Sequence, residues 1–154
     1  CESLWDITFL ASAFQPTAVR WLKDLNVAAY KVASRAAATY PYSDAPGPFI
    51  ISNGFLFDCE RELLNDRAIQ LQCVPKYPTP LAEARWTATK QEGLSDHSGT
   101  PWPGLDAISR GCPLLEIHFA IGEFEGPDRA VSLNTVQLKL LCEHRDAVAS
   151  MRQG

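Results

Sequence analysis

The stretch Gly93–Phe119, GLSDHSGTPWPGLDAISRGCPLLEIHF, contains a strand, a helix and a second strand in succession. We predict a short strand ending at Ser95, a helix over about Pro103–Arg110 and a strand over Leu114–Phe119. Two apolar runs of strand length on either side of a helical segment form a βα unit, and such units assemble into parallel sheets. The stretch therefore predicts an α/β fold with parallel strands.

The same alternation of strands and helices continues toward both ends of the chain. Further strands are predicted at Ile7–Phe14, Ala28–Ala33, Phe49–Ser52 and Ala68–Val74. Further helices are predicted from Gln15-Pro16-Thr17, over Phe55–Asn65 and over Thr135–Arg152, the last one capped by Asn134 with Gln137 three residues later. The segment from Ser34 to Pro48 is rich in proline and is predicted to be a loop with one turn of helix at most.

Composition narrows the class of protein. The chain has 154 residues, 17.0 kDa, and we expect a single domain over residues 1–154. Its 46% apolar and 21% charged residues exclude disordered, collagen-like and coiled-coil proteins. A net charge of −4 argues against a nucleic-acid partner. No apolar run reaches the roughly 20 residues of a membrane span, so we expect no membrane partner.

The cysteines indicate the cellular compartment, and the first residue bears on where the natural chain begins. Five cysteines, an odd number without any C-x-x-C spacing, predict reduced and mostly buried thiols in a cytoplasmic protein. Because the chain begins at Cys1 and not at Met, we expect the natural start to lie upstream.

Polar side chains stand at the carboxyl ends of the predicted strands, where parallel sheets carry function. Taken singly, each has a structural explanation: a histidine is usually a hydrogen-bonded structural residue, Lys31 could extend to solvent, and the serines could form turns. His97 and His118, however, end two strands. If those strands are neighbours about 4.8 Å apart, both imidazoles can reach one divalent ion.

In order along the chain, the motifs resemble those of the sialic acid synthase family. They are Ala29-Tyr-Lys-Val-Ala-Ser34, Ile50-Ile-Ser-Asn-Gly54, Leu71-Gln-Cys73, Tyr77-Pro-Thr-Pro80, Gly93-Leu-Ser-Asp-His97, Leu115-Glu-Ile-His-Phe119 and Gly126-Pro-Asp128. Members of that family are (β/α)₈ barrels that condense phosphoenolpyruvate with an N-acylated amino-sugar aldehyde, such as N-acetylmannosamine. The resemblance thus implies a TIM-type (β/α) barrel, and the length of this chain makes it an incomplete one of about six βα units.

The resemblance also implies roles for individual residues. His97 and His118 would be ligands of a divalent ion, Mn²⁺ or Mg²⁺. Phosphoenolpyruvate would be held by Lys31 together with the serines Ser12, Ser34, Ser52 and Ser95. Asp128 would hold hydroxyls of the sugar, and Tyr77 would line its pocket. Lys31, Asp128, His97 and His118 would form the catalytic set.

The chain also departs from the family pattern. A Lys-x-Gln strand is not found in these 154 residues, Ala36 stands where the family usually has an acidic residue, and Pro75 stands where it usually has an asparagine. We also expect no C-terminal antifreeze-like domain. An alternative function is therefore a non-catalytic relic of the barrel that binds a metal or ligand. Because an open sheet exposes its edges, we expect a homo-oligomer, or a missing N-terminal segment that complements the fold, with an interface near Trp5–Phe14 and Leu114–Phe119.

Overall fold

A computed structural model of the chain describes residues 7–64, 68–87, 92–122 and 125–153. By its internal contacts the chain divides into two compact units, residues 1–70 and 71–154. No helix within the described ranges is both long enough and apolar enough to cross a membrane. Whether residues 1–154 behave as one domain stays a prediction.

The first unit contains two helices, two complete strands and the beginning of a third. They are α1 (Pro16–Asp24), β1 (Tyr30–Val32), β2 (Phe49–Ser52), α2 (Asp58–Leu64) and the first residues of β3 (Ala68–Cys73). Strands β1 and β2 are parallel, with Lys31 opposite Ile50. The strands follow one another in chain order.

Apolar side chains of β1 and β2 form the core of the first unit. Val32 and Ile51 are fully buried between the sheet and the elements that cover it, and Val19 and Leu22 of α1 pack into the same cluster. Pro16 occupies the first turn of α1, where its missing N–H costs nothing. Val19 and Leu22, three positions apart, thus lie on the buried face of α1, whereas Leu25, three positions further on and just beyond the helix, is exposed.

The second unit contains the rest of β3 and five further elements. They are β4 (Gly93–Asp96), α3 (Trp102–Arg110), β5 (Leu115–Phe119), β6 (Ser132–Leu133) and α4 (Thr135–Gln153). Strands β3 to β6 lie in chain order, and each neighbouring pair is parallel. Parallel strands in chain order, alternating with helices, have the connectivity of a (β/α) barrel. The predicted fold class, a partial barrel of six parallel strands, is confirmed.

Helices α3 and α4 pack closely in the second unit. A Cβ at Gly104 of α3 would stand 3.0 Å from the side chains of both Leu115 and Leu141, so only glycine lets the backbones approach this far without adjustment. The start of α4 is fixed by a reciprocal pair: the Gln137 N–H donates to Asn134 Oδ1 at 2.9 Å, and the Asn134 N–H donates to Gln137 Oε1 at 3.0 Å. The predicted capping box is therefore present.

Three details differ from the sequence predictions. In place of a strand over Ile7–Phe14, the structure has one bridge, from Ser12 to Lys31, because an apolar run becomes a strand only where a neighbour pairs with it along its length. Leu115–Phe119 is not the last strand, since β6 pairs beyond it. The proline-rich segment holds two 3₁₀ helices, Ser34–Thr39 and Tyr42–Asp44, where one turn was predicted.

The burial of the cysteines differs from the prediction, and the predicted interface lies only partly within the described residues. The described cysteines are all free, but only Cys73 is buried, so the prediction of mostly buried thiols is wrong. Cys112 and Cys142 are half-buried and Cys59 is exposed. Cys59 and Cys142 lie on helices that are largely exposed to solvent. Cys1 and the Trp5 end of the predicted interface lie outside the described residues. The oligomeric state stays a prediction.

Candidate functional site

His97 and His118, called the histidine pair below, lie side by side in the second unit. Strand β4 pairs with β5 so that Asp96 is opposite Ile117, and each histidine is the next residue along its strand direction. Their ring centroids are 5.2 Å apart. The parallel register is what brings together two imidazoles that are 21 positions apart in the sequence.

His97 is buried and contacted on both ring nitrogens. The Tyr77 hydroxyl lies 2.8 Å from Nε2 and forms a hydrogen bond with it, and the Tyr77 ring stacks on the imidazole at 4.2 Å. The Cys73 sulfur lies 3.8 Å from Nδ1. The backbone carbonyl of His97 accepts a hydrogen bond from the Thr79 N–H at 2.9 Å. The Tyr77-Pro-Thr-Pro80 loop therefore holds both the ring and the backbone of His97.

His118 is half-buried and faces an acidic residue. Its Nδ1 atom lies 3.8 Å from Asp128 Oδ2, a distance that is longer than a direct hydrogen bond. Asp128 stands just before a 3₁₀ turn, Arg129–Val131, that leads into β6. Because Ser132 of β6 pairs with His118, the strand register brings this turn beside the histidine.

Asp96 fixes the loop that carries His97. Its carboxylate accepts hydrogen bonds from the Ser98 N–H at 3.0 Å and from the Ser98 hydroxyl at 2.9 Å. Burial raises the pKa of the Asp96 carboxyl above its usual value, while the Ser98 hydrogen bonds and the nearby His118 act in the opposite direction. The Asp96 side chain is thus a buried anchor between the strand and the loop.

The chemistry of the histidine pair fits a divalent ion. Imidazole nitrogens are ligands that divalent transition metals accept, and each ring would have to offer one nitrogen to a shared ion. An ion on Nε2 of His97 would replace the hydrogen bond with Tyr77. Nδ1 of His118 faces Asp128, so Nε2 of that ring would be its ligand atom. Within the described ranges, no group of three or more His, Cys, Asp or Glu side chains is arranged around one point. Such a site would keep several positions for water or substrate.

The first unit has its own polar group at the ends of β1 and β2, called the lysine cluster below. Lys31 is buried, and its ammonium donates to Ser52 Oγ at 2.9 Å and to the Val32 carbonyl at 3.1 Å. The Gly54 N–H donates to Ser34 Oγ at 3.3 Å. Ser12 is exposed, and its backbone bridges that of Lys31. A buried cation beside hydroxyls and a backbone N–H is suited to an anionic group.

The structure thus places the predicted site residues in two groups. Lys31, Ser12, Ser34 and Ser52 belong to the first unit, and Tyr77, Ser95, His97, His118 and Asp128 belong to the second. Ser95 is buried in β4, with Cys73 opposite it on β3 and Glu116 opposite it on β5.

Sequence reasoning assigned no role to Cys73, Thr79 or Gly99, although all three adjoin the loop of His97. The strand register would have placed Cys73 near His97, since Cys73 stands opposite Ser95, two residues before the histidine. The other two contacts depend on how loops meet, and no local pattern in the sequence signals them.

Comparison with known proteins supports one family. The NeuB family model matches residues 1–154, so the chain belongs to the NeuB family. It is 26% identical to the N,N'-diacetyllegionaminic acid synthase of Campylobacter jejuni, over 89% of this chain and 48% of that protein. It is 27% identical to the N-acetylneuraminate-9-phosphate synthase of Mus musculus, over 86% of this chain and 43% of that protein. The chain therefore spans about half the length of these relatives.

A solved structure shares the fold. The N-acetylneuraminic acid synthetase of Leptospira borgpetersenii superposes with a TM-score of 0.86, covering 97% of this chain and 59% of the other, at 23% identity. At that identity the likeness shows a common fold. It agrees with the parallel strand order described above.

Proposed function

We propose that the protein condenses phosphoenolpyruvate with an N-acylated amino-sugar aldehyde, N-acetylmannosamine or a relative, to form a sialic or nonulosonic acid with release of phosphate. The observation that supports this most is the histidine pair, with ring centroids 5.2 Å apart at the ends of β4 and β5 in a member of the NeuB family. Relatives named for legionaminic and neuraminic acid synthesis point to the same substrate class.

The lysine cluster is proposed to bind phosphoenolpyruvate. This substrate carries a phosphate and a carboxylate, and a protein with a net charge of −4 must bind such anions locally. The Lys31 ammonium is buried and already points at the Ser52 hydroxyl, so its hydrogen-bonding direction is fixed before an anion arrives. Ser12 and Ser34 of the same unit would add hydroxyl donors. Preorganised donors of this kind hold a substrate without reorganisation during the reaction.

The histidine pair is proposed to hold Mn²⁺ or Mg²⁺. Such an ion would polarise the aldehyde oxygen of the sugar as a Lewis acid. Tyr77, which already stacks on His97, would line the sugar pocket, and Asp128 would accept hydrogen bonds from sugar hydroxyls. The new C–C bond forms between C3 of phosphoenolpyruvate and the aldehyde carbon, water adds at C2, and phosphate leaves. Lys31 and the serines beside it would orient phosphoenolpyruvate, and Tyr77 and Asp128 would orient the sugar.

Phosphate release from phosphoenolpyruvate tests the proposal. The 154-residue chain is incubated with phosphoenolpyruvate, Mn²⁺ and one aldose at a time: N-acetylmannosamine, its 6-phosphate or a bacillosamine-derived aldose. The control is the same mixture without the aldose. Lys31→Met removes the buried charge, and Lys139→Met removes an exposed lysine of α4 as the matched control. We expect aldose-dependent release that is lost in Lys31→Met and kept in Lys139→Met.

Two other results would argue against the proposed reaction. Release that does not depend on any aldose, or that is unaffected by Lys31→Met, contradicts the proposed reaction. Saturable Mn²⁺ binding without phosphate release favours the alternative of a non-catalytic relic that keeps a ligand site.

A further inference from the structure

Residues 97–101, between β4 and α3, are called the His97 loop below, and residues 128–131 are called the Asp128 turn. Gly99 is the point where the loop meets the turn. Its backbone has φ +70°, in the left-handed region that side-chain-bearing residues rarely adopt. A Cβ at Gly99 would overlap the carbonyl oxygen of Ala130 and would stand 3.2 Å from Val131 Cα. Both neighbours are backbone atoms, so a side chain can be accommodated only by moving one segment away from the other.

The His97 loop cannot easily give way. Ser98 donates its N–H and its hydroxyl to the two oxygens of Asp96, and the Thr100 N–H donates to Ser98 Oγ at 3.2 Å. Asp96, His97 and Ser98 are all buried. The backbone on both sides of Gly99 is therefore held by hydrogen bonds, buried on the Ser98 side and partly buried on the Thr100 side.

The Asp128 turn is tied to β6 on its other side. The Asp128 carbonyl accepts hydrogen bonds from the Ser132 hydroxyl at 2.8 Å and from the Val131 N–H at 3.1 Å. Gly99 is thus a close backbone contact between the His97 loop and the Asp128 turn. In the same turn, Asp128 Oδ2 lies 3.8 Å from His118 Nδ1.

We infer that Gly99 is a positioning residue that keeps the Asp128 carboxylate at its distance of 3.8 Å from Nδ1 of His118. A carboxylate at Nδ1 favours the tautomer with the proton on that nitrogen, and it leaves Nε2 unprotonated and directed to a ligand. Asp128 then has a role toward His118 besides any contact with a sugar. The consequence for metal affinity rests on the proposed function, whereas the consequence for the tautomer does not.

Nitrogen NMR of the His118 ring in the 154-residue chain, at a pH where the ring is neutral, reads the tautomer directly. We expect the Nδ1–H form in the parent and a shift toward the Nε2–H form in Gly99→Ala and in Asp128→Asn. Gly104→Ala is the matched control, because its Cβ also meets tight packing, 3.0 Å from two leucine side chains, away from the histidines. Ser98→Ala, which loosens the same loop, gives a second variant should Gly99→Ala not fold.

Mn²⁺ titration of the same variants adds a thermodynamic cycle. If Gly99 acts through Asp128, each single variant weakens Mn²⁺ affinity by about tenfold, and the double variant is no weaker than Asp128→Asn alone. An unchanged tautomer in both Gly99→Ala and Ser98→Ala overturns the inference, as does an equal shift in Gly104→Ala. The expected tautomer pattern in a chain that does not bind Mn²⁺ supports the positioning role and refutes the proposed metal centre.

Discussion

His97 and His118 face each other at the ends of two hydrogen-bonded strands, with ring centroids 5.2 Å apart and Tyr77 in contact with both rings. Strand register brings the two histidines together, because the residues that precede them, Asp96 and Ile117, are paired on β4 and β5. The Tyr77-Pro-Thr-Pro80 loop then holds the ring and the backbone of His97.

Replacing Lys31 by Met should weaken phosphoenolpyruvate binding more than replacing Ser52 by Ala. The methionine keeps the packing of the stem and deletes the charge, and a charge-assisted contact is roughly twice as strong as a neutral one. We expect a loss of about 2 kcal/mol for Lys31→Met and about 1 kcal/mol for Ser52→Ala. Titration with phosphoenolpyruvate in excess Mn²⁺ measures both. Parent-like binding by Lys31→Met would exclude the lysine cluster as the anion site.

The buried Asp96 carboxyl should make stability depend on pH. Because burial raises its pKa in the folded protein, the folded state binds the proton more tightly than the unfolded state does. The stability from this group is fully present below the unfolded pKa and is lost as the pH rises through the folded pKa. We therefore expect Asp96→Asn to gain stability relative to the parent as the pH rises from 3 to 7.

Urea unfolding at several pH values measures this difference. Asp106→Asn, a change at an exposed position on α3, controls for the general effect of deleting a carboxylate. An equal gain in both variants, or none in Asp96→Asn, would show that the Ser98 hydrogen bonds offset the cost of burying Asp96.

Two neighbouring tyrosines should respond oppositely to loss of the hydroxyl. The Tyr40 hydroxyl is buried and has no hydrogen-bond partner in the described part of the chain, whereas the Tyr42 hydroxyl donates to the Ala37 carbonyl at 2.9 Å. Removing an unsatisfied buried group relieves its desolvation cost, and removing a satisfied one loses a hydrogen bond. We expect Tyr40→Phe to stabilise the protein by about 1 kcal/mol and Tyr42→Phe to destabilise it by about 1 kcal/mol in urea unfolding. Equal losses in the two variants would contradict this.

The capping box at the start of α4 should contribute measurably to stability. Asn134→Ala removes the acceptor of the Gln137 N–H, and we expect a loss of about 1 kcal/mol in the free energy of unfolding. Lys139→Ala, on the exposed face of the same helix, should lose far less. Similar losses in both variants would mean that the reciprocal hydrogen bonds add nothing to helix stability.

Some features were predictable from local sequence and others were not. Strand Phe49–Ser52 and the Asn134–Gln137 cap were predicted at the observed positions, because short-range periodicity and capping chemistry specify them. The strand expected over Ile7–Phe14 reduces to a single bridge, because strand formation needs a partner that the segment's own sequence does not reveal.

The candidate site also has features that the sequence predicts and features that it does not. The adjacency of His97 and His118 follows from strand order and alternation, and was predictable once parallel strands were assumed. The close approach of Gly99 to Ala130 was not, because two loops distant in the sequence determine it.

Calorimetric titration with Mn²⁺ tests the central claim, that the histidine pair is a metal site, most directly. Parent protein, the double variant His97→Ala/His118→Ala and the control His144→Ala, which removes the histidine of α4, are titrated side by side. We predict one Mn²⁺ site of micromolar or weaker affinity, lost in the double variant and kept in His144→Ala, because two imidazoles and water bind more weakly than a closed set of protein ligands. Mn²⁺ binding that is unchanged in the double variant would contradict the account.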